Sequence, residues 1–246
     1  RGMPSRIEIL SPDLLAKISK QRKTYPWLKA EDWEDVVMDL RKGVPPPRIG
    51  ADNKEPSFAL VGDSHASALI PAFAFQAHES GVCGVVMSLA ATPFLTDVSW
   101  FSVGAKDSGW DEAAHNKAVM RFLEQHPEIR TVFLVSRWAI YIQGPWWERT
   151  EEGAKQKFED LVGEYPDNPD NQTMVAVGLR RTVEALLKLG RKVVLLSDVP
   201  EVGFDAPRAF YINQRWPQLL DLETIRPSMR DYITRQKEAI SILEEL

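Results

Sequence analysis

Pro56-Ser57-Phe58-Ala59-Leu60-Val61-Gly62-Asp63-Ser64-His65-Ala66-Ser67-Ala68-Leu69 is a short apolar run that breaks at a glycine and gives way to a helical pattern. Ser57 to Val61 reads as a strand, Gly62 as a tight turn, and His65 to about Glu79 as a helix. The same alternation recurs along the chain. Gly84 to Leu89 (or from Val82), Thr131 to Ser136 and Lys192 to Ser197 read as further strands; Asp111 to Gln125, Asn171 to Leu189 and Ser228 to Leu246 read as helices. Continuous apolar strands separated by longer helical stretches predict βα units around a parallel sheet covered on both faces. The fold class expected is therefore α/β, with a doubly wound, mostly parallel sheet.

Upstream the pattern differs. Two helical stretches, Pro12 to Lys20 and Lys29 to Lys42, precede Gly43-Val44-Pro45-Pro46-Pro47, which cannot continue a helix. The second stretch puts Trp33, Val36, Val37 and Leu40 on one face. Polar Ala51 to Pro56 reads as a linker, so residues 1–54 are expected to be a helical and linker extension and 55–246 the α/β domain. The opening Arg1-Gly2-Met3-Pro4 reads as an added remnant joined to an internal segment, and a natural chain longer at either end is expected.

With 35 acidic and 30 basic residues mixed along 246 positions, the formal charge is -5, which argues against nucleic acid as a partner. No apolar stretch approaches the roughly 18–20 residues of a membrane-spanning helix, and no signal-peptide pattern opens the chain, which reads as a soluble piece. The single cysteine, Cys83, sits in an apolar run and reads as a buried small hydrophobe. No phosphate-binding glycine loop appears. The histidines lack the spacing of a metal cluster, which excludes a metallophosphoesterase; neither a metal nor a cofactor is expected.

In a parallel sheet, ligands bind outside the carboxyl ends of the strands. Ser64 follows the first of these strands, at a helix start where free backbone N–H groups favour developing negative charge, a setting that suits a nucleophile whose attack creates an oxyanion. The competing reading makes Asp63 or Ser64 a helix N-cap.

The string from Phe58 to Leu69 resembles the first block of the SGNH (GDSL-like) hydrolases, and the histidine directly after the serine is similar to the SGNH domains fused to acyltransferase type 3 membrane proteins. The resemblance runs from about Ser57 onward. It implies a flavodoxin-like SGNH fold and Ser64 as catalytic nucleophile. Ala90 and Ala91 stand where the family usually has a glycine whose N–H holds the oxyanion, and Ser136-Arg137-Trp138 stands where SGNH enzymes in general place an asparagine. Arg137 then becomes a candidate oxyanion or ligand contact, against a surface charge beside a core Trp138. Asp63, His65 and Trp138 are possible supporting residues. The resemblance further implies O-acyl transfer, of an acetyl group, to a cell-envelope polysaccharide, in a periplasmic or extracytoplasmic domain of an inner-membrane protein, with the acyl donor delivered through a fused transmembrane acyltransferase domain.

SGNH enzymes draw their acid and base from an Asp-x-x-His pair near the carboxyl end, and this sequence has none. Asp198, after the fourth strand, is a tempting acid but reads as a turn residue before Val199-Pro200. His65 diverges from Ser64 on the helix and is poorly placed to take its proton. His78 reads as the end of the first helix, Asp111 and His115 as a helix-surface pair, and His126 as a helix terminus. A fifth strand and the catalytic pair are expected beyond Leu246. Two other functions compete with acyl transfer: a carbohydrate esterase, and a non-catalytic module that stacks sugars on Trp138, Tyr141, Trp146 and Trp147.

Overall fold

The computed structural model describes residues 40–102, 111–144, 156–167, 169–201, 206–216, 218–220 and 226–246. The expected helices at Pro12 to Lys20 and most of Lys29 to Lys42, and Trp146 and Trp147, lie outside these residues; the described end of the second helix, Leu40–Lys42, is a single 3-10 turn. The chain divides into two units, Val37–Glu201 with Pro227–Leu246, and Arg1–Val36 with Val202–Arg226.

The larger unit is built on strands β1 (Arg48–Gly50), β2 (Pro56–Gly62), β3 (Cys83–Ser88), β5 (Thr131–Val135) and β7 (Lys192–Leu196), in the order β1-β3-β2-β5-β7. β2 pairs in parallel with both β3 and β5, β5 pairs in parallel with β7, and only β1 runs antiparallel, against β3. This is the doubly wound, mostly parallel α/β sheet read from the sequence. Its four parallel strands match the sequence reading to within a residue or two.

Helices α1 (Ser64–Glu79), α2 (Glu112–Gln125), α3 (Trp138–Gln143), α4 (Asn171–Lys188) and α6 (Met229–Glu244) complete this unit, with a two-stranded antiparallel sheet of β4 (Val98–Ser102) and β6 (Gln156–Asp160). α1 buries Ala66, Ile70, Ala74 and Ala77, a stripe at helical spacing. The main core gathers Ala59, Val61, Val85, Met87, Val132 and Leu134 from the sheet with residues of α2, α3, α4 and α6. Alternate strand residues share a face, so these six mark the side of the sheet on which that core lies. Cys83 is buried, as expected.

Sequence reading missed the ten-residue helix at Ala206–Arg215, as well as β1, β4, β6 and the six-residue α3. The last four are short, and β1, with Arg48 and Gly50 in three residues, has too few apolar positions to show a period. One expectation needs correction: β7 is not covered on both faces, since its residues are exposed or half-buried and it stands at the end of the strand order.

The described part of the smaller unit is α5 (Ala206–Arg215) and the turn after it. Asn213 Nδ2 donates to Leu220 O at 2.7 Å, and Tyr211 meets Trp216 edge to face.

Candidate active site

The strand register sets Ser88, Gly62, Val135 and Leu196 in one row, Gly62 opposite both Ser88 and Val135, and Val135 opposite Leu196. The residues that follow each strand therefore emerge along one carboxyl edge: Leu89-Ala90-Ala91 after β3, Asp63-Ser64-His65 after β2, Ser136-Arg137 after β5 and Ser197-Asp198 after β7.

Gly62 makes the turn possible. Its φ is +150°, and a Cβ built on it would lie 1.7 Å from the carbonyl oxygen of Val135, so no side chain fits. The neighbouring strands hold the turn: Asp63 N–H donates to Val135 O and Leu89 N–H to Gly62 O.

The N-cap question resolves in favour of Asp63. Its Oδ1 accepts from His65 N–H at 2.8 Å, while its Oδ2 accepts from Arg137 N–H at 2.9 Å and from the Tyr141 hydroxyl at 2.8 Å. One fully buried carboxylate thus fastens β2, α1, the end of β5 and α3 together. Burial pushes the Asp63 carboxyl above the usual carboxylate range, and the bonds from Arg137, His65 and Tyr141 pull it back. The Tyr141 hydroxyl is pushed well up by its own burial and by the charge of Asp63. With the cap supplied by Asp63, Ser64 is the first residue of α1; it is exposed, and its hydroxyl bonds to no described residue.

Ala90 and Ala91 are both exposed and form a tight turn closed by Thr92 N–H to Leu89 O at 3.1 Å. Ala91 has φ of +54°, the left-handed conformation that glycine adopts without strain and an alanine only at a cost of about 1 kcal/mol or more. Arg137 is half-buried, and its backbone, rather than its guanidinium, is what holds Asp63.

Trp138 and Tyr141 are 1% and 2% exposed, which corrects the sugar-stacking reading for these two aromatics: neither offers a face to a ligand. Trp138 serves the site from beneath, its indole N–H donating to Leu196 O at 2.9 Å at the end of β7.

Asp198 is the residue sequence reasoning undervalued. Far from a surface turn, it is buried, and its Oδ1 lies 2.7 Å from His65 Nδ1. Its position directly after an apolar strand, on the same edge as Ser64, was the available signal. The surface pair of Asp111 and His115 is corrected as well: Asp111 is exposed and caps α2 by accepting from Ala114 N–H, whereas His115 is buried. His78 is exposed near the end of α1, and His126 caps α2 with Nδ1 2.7 Å from Phe122 O, both at helix ends as read.

Among the described residues, no cluster of three or more His, Cys, Asp or Glu could hold a metal ion. None of their helices is long and apolar enough to cross a membrane.

The family model described as the SGNH domain fused to AT3 domains matches residues 32–246, and the chain belongs to that family. It is thus a hydrolase-fold domain of a kind associated with acyltransferases, and esterase or acyl-transfer chemistry is the type its family suggests. No curated protein and no solved structure matches the chain.

Proposed function

We propose that this chain carries serine-dependent O-acyl transfer, of an acetyl group, to a cell-envelope polysaccharide outside the cytoplasm, with Ser64 as the nucleophile. The observation that carries the reading is the placement of Ser64: exposed, uncommitted, first in α1, and at the carboxyl end of the central parallel strand β2. In this reading the acyl donor arrives through a fused transmembrane acyltransferase domain, in keeping with the fusion that defines the family.

Ser64 Oγ attacks the carbonyl carbon of the donor, its proton passing to the histidine of the Asp-x-x-His pair that the family likeness implies, not to His65. Negative charge gathers on the carbonyl oxygen. The N–H groups of Ser64, Ala90 and Ala91 are the proposed donors to it, and the Arg137 guanidinium a further one. Collapse of the intermediate releases the donor's remainder, protonated by that histidine, and leaves an ester on Ser64; a sugar hydroxyl then attacks it, its proton passing through the same histidine to the departing Ser64 oxygen, to give the acylated polysaccharide and free serine.

Ser64→Ala in the intact protein should lower alkali-labile acetate on the polysaccharide by about 10³-fold or more. Acetylation at the wild-type level in that variant would refute the assignment.

A further inference from the structure

The His65–Asp198 bond joins the tips of β2 and β7 across the intervening β5, between residues 133 apart in sequence. It is not a surface ion pair. The Asp198 side chain is 1% exposed, and its second oxygen, Oδ2, is buried without a hydrogen-bond partner, an expensive arrangement for a group serving only to cap a loop. Oδ1 also accepts from Val199 N–H at 2.7 Å. Neighbouring elements hold the aspartate from outside: Tyr232 of α6 donates to Asp198 O at 3.2 Å, and Trp138 pins the strand end two residues before it.

A carboxylate oxygen accepts from an N–H, so the short Nδ1–Oδ1 contact favours the tautomer with its proton on Nδ1, in which Nε2 carries a lone pair. The ring keeps 26% of its side-chain surface exposed, beside exposed Ser64 on the same edge. Adjacent residues at a helix start point in diverging directions, which leaves room for a substrate group between them. A lone pair on a ring fixed by Asp198, next to an acylated serine, matches one need of the reaction: the attacking hydroxyl must be held with its oxygen toward the ester carbon and its hydrogen turned away.

We infer that His65, oriented by Asp198, accepts a hydrogen bond at Nε2 from the attacking hydroxyl, that of the sugar or of water in its absence, and so positions the acceptor in the second half of the reaction. This rests on Ser64 being the nucleophile, but assigns His65 no part in activating it.

Burst kinetics with 4-nitrophenyl acetate separate the two halves, since the burst reports acylation of Ser64 and the steady state reports attack on the acyl-serine. His65→Asn keeps an N–H near the Nδ1 position for Asp198 and removes the lone pair at Nε2. In the intact protein it should leave the burst in place and slow the steady state by about 10²-fold. His65→Gln, whose amide reaches toward the Nε2 position, should recover part of that loss. Asp198→Asn, which can turn the imidazole to the other tautomer, should impair the steady state in the same way, with a melting temperature near wild type for whichever variants are compared. Wild-type steady-state turnover in His65→Asn would overturn the inference and make the pair a structural bond, as would loss of burst and steady state together. Ser64→Ala is read separately: if it retains burst and turnover, the nucleophile assignment fails, and the role given to His65 falls with it; if it loses both while His65→Asn is unimpaired, only the His65 inference falls.

Discussion

The two edges of the central sheet treat their polar groups differently. At the amino edge, side chains serve backbone carbonyls: Arg191 donates from Nη1 to Pro127 O and from Nη2 to Leu123 O and His126 O, while His126 stacks on Phe122 with Nδ1 2.7 Å from Phe122 O. At the carboxyl edge, side chains bond to other side chains from distant segments, His65 to Asp198 and Tyr141 to Asp63. There too lie a buried Ser136 hydroxyl and a buried Asp198 oxygen without partners, and an alanine in a left-handed conformation. His65 and His126 make bonds of the same length through the same nitrogen. One partner is a carbonyl four residues back, which ends a helix; the other is a buried carboxylate 133 residues on, which orients a ring. Unpartnered buried groups occur at both edges, Arg191 Nε at the amino edge among them; what sets the carboxyl edge apart is that side chains from distant segments bond to one another beside an exposed serine.

The sharpest way to break this picture is at Gly62. Gly62→Ala forces a Cβ into the Val135 carbonyl, and we expect a loss of about 4 kcal/mol or outright failure to fold, read by denaturant unfolding. A variant within 1 kcal/mol of wild type, on the order of a surface substitution, would mean the turn is not the fixed point of the edge. Next in size is Asp63→Ala, which strands the three donors of Arg137, His65 and Tyr141 and should cost about 2–4 kcal/mol. Asp63→Asn should cost less but not nothing, because its amide nitrogen must face one of those donors.

The amino edge offers the contrasting variant. Arg191→Ala removes the side-chain bonds to the carbonyls of Pro127, Leu123 and His126 and should lower stability by about 2 kcal/mol, while turnover of the folded protein at low temperature stays at wild type. Loss of turnover without loss of stability would erase the distinction between the edges.

A smaller effect belongs to the β6–α4 contact, away from both edges. The Arg181 guanidinium holds the Asp160 carboxyl down from the ordinary 3.8 to about 2. Because the folded value is the lower one, the stability from this contact is complete above about pH 4 and disappears as the pH falls toward 2. Asp160→Asn should therefore flatten the acid limb of a melting-temperature profile; an unchanged limb would contradict this. Smallest of all, Ala91→Gly relieves the positive φ and should raise stability by no more than about 1 kcal/mol.

Much of this architecture is legible in the sequence, for reasons the edges make plain. The four parallel strands and four long helices show as local apolar periods, and Ser64 follows from the break at Gly62 after the first of them. Asp63 as N-cap is equally local. The bonds that organise the carboxyl edge are not, because His65 meets Asp198 only once β5 and β7 have been set beside β2. The same holds for Trp138 and Tyr141: their aromatic character suggested a ligand face, but α3 turns both inward, one to Leu196 and the other to Asp63. β4 and β6 pair across intervening helices and carry no sustained alternation, so nothing local announces them.

The central claim is that Ser64 is an activated nucleophile, and intact-mass spectrometry with peptide mapping tests it most directly. After exposure to a fluorophosphonate, the intact protein should gain one phosphonyl group on the peptide containing Ser64, and Ser64→Ala should gain none. A wild-type protein that stays unlabelled, or a label that maps to another serine and persists in Ser64→Ala, would contradict the account.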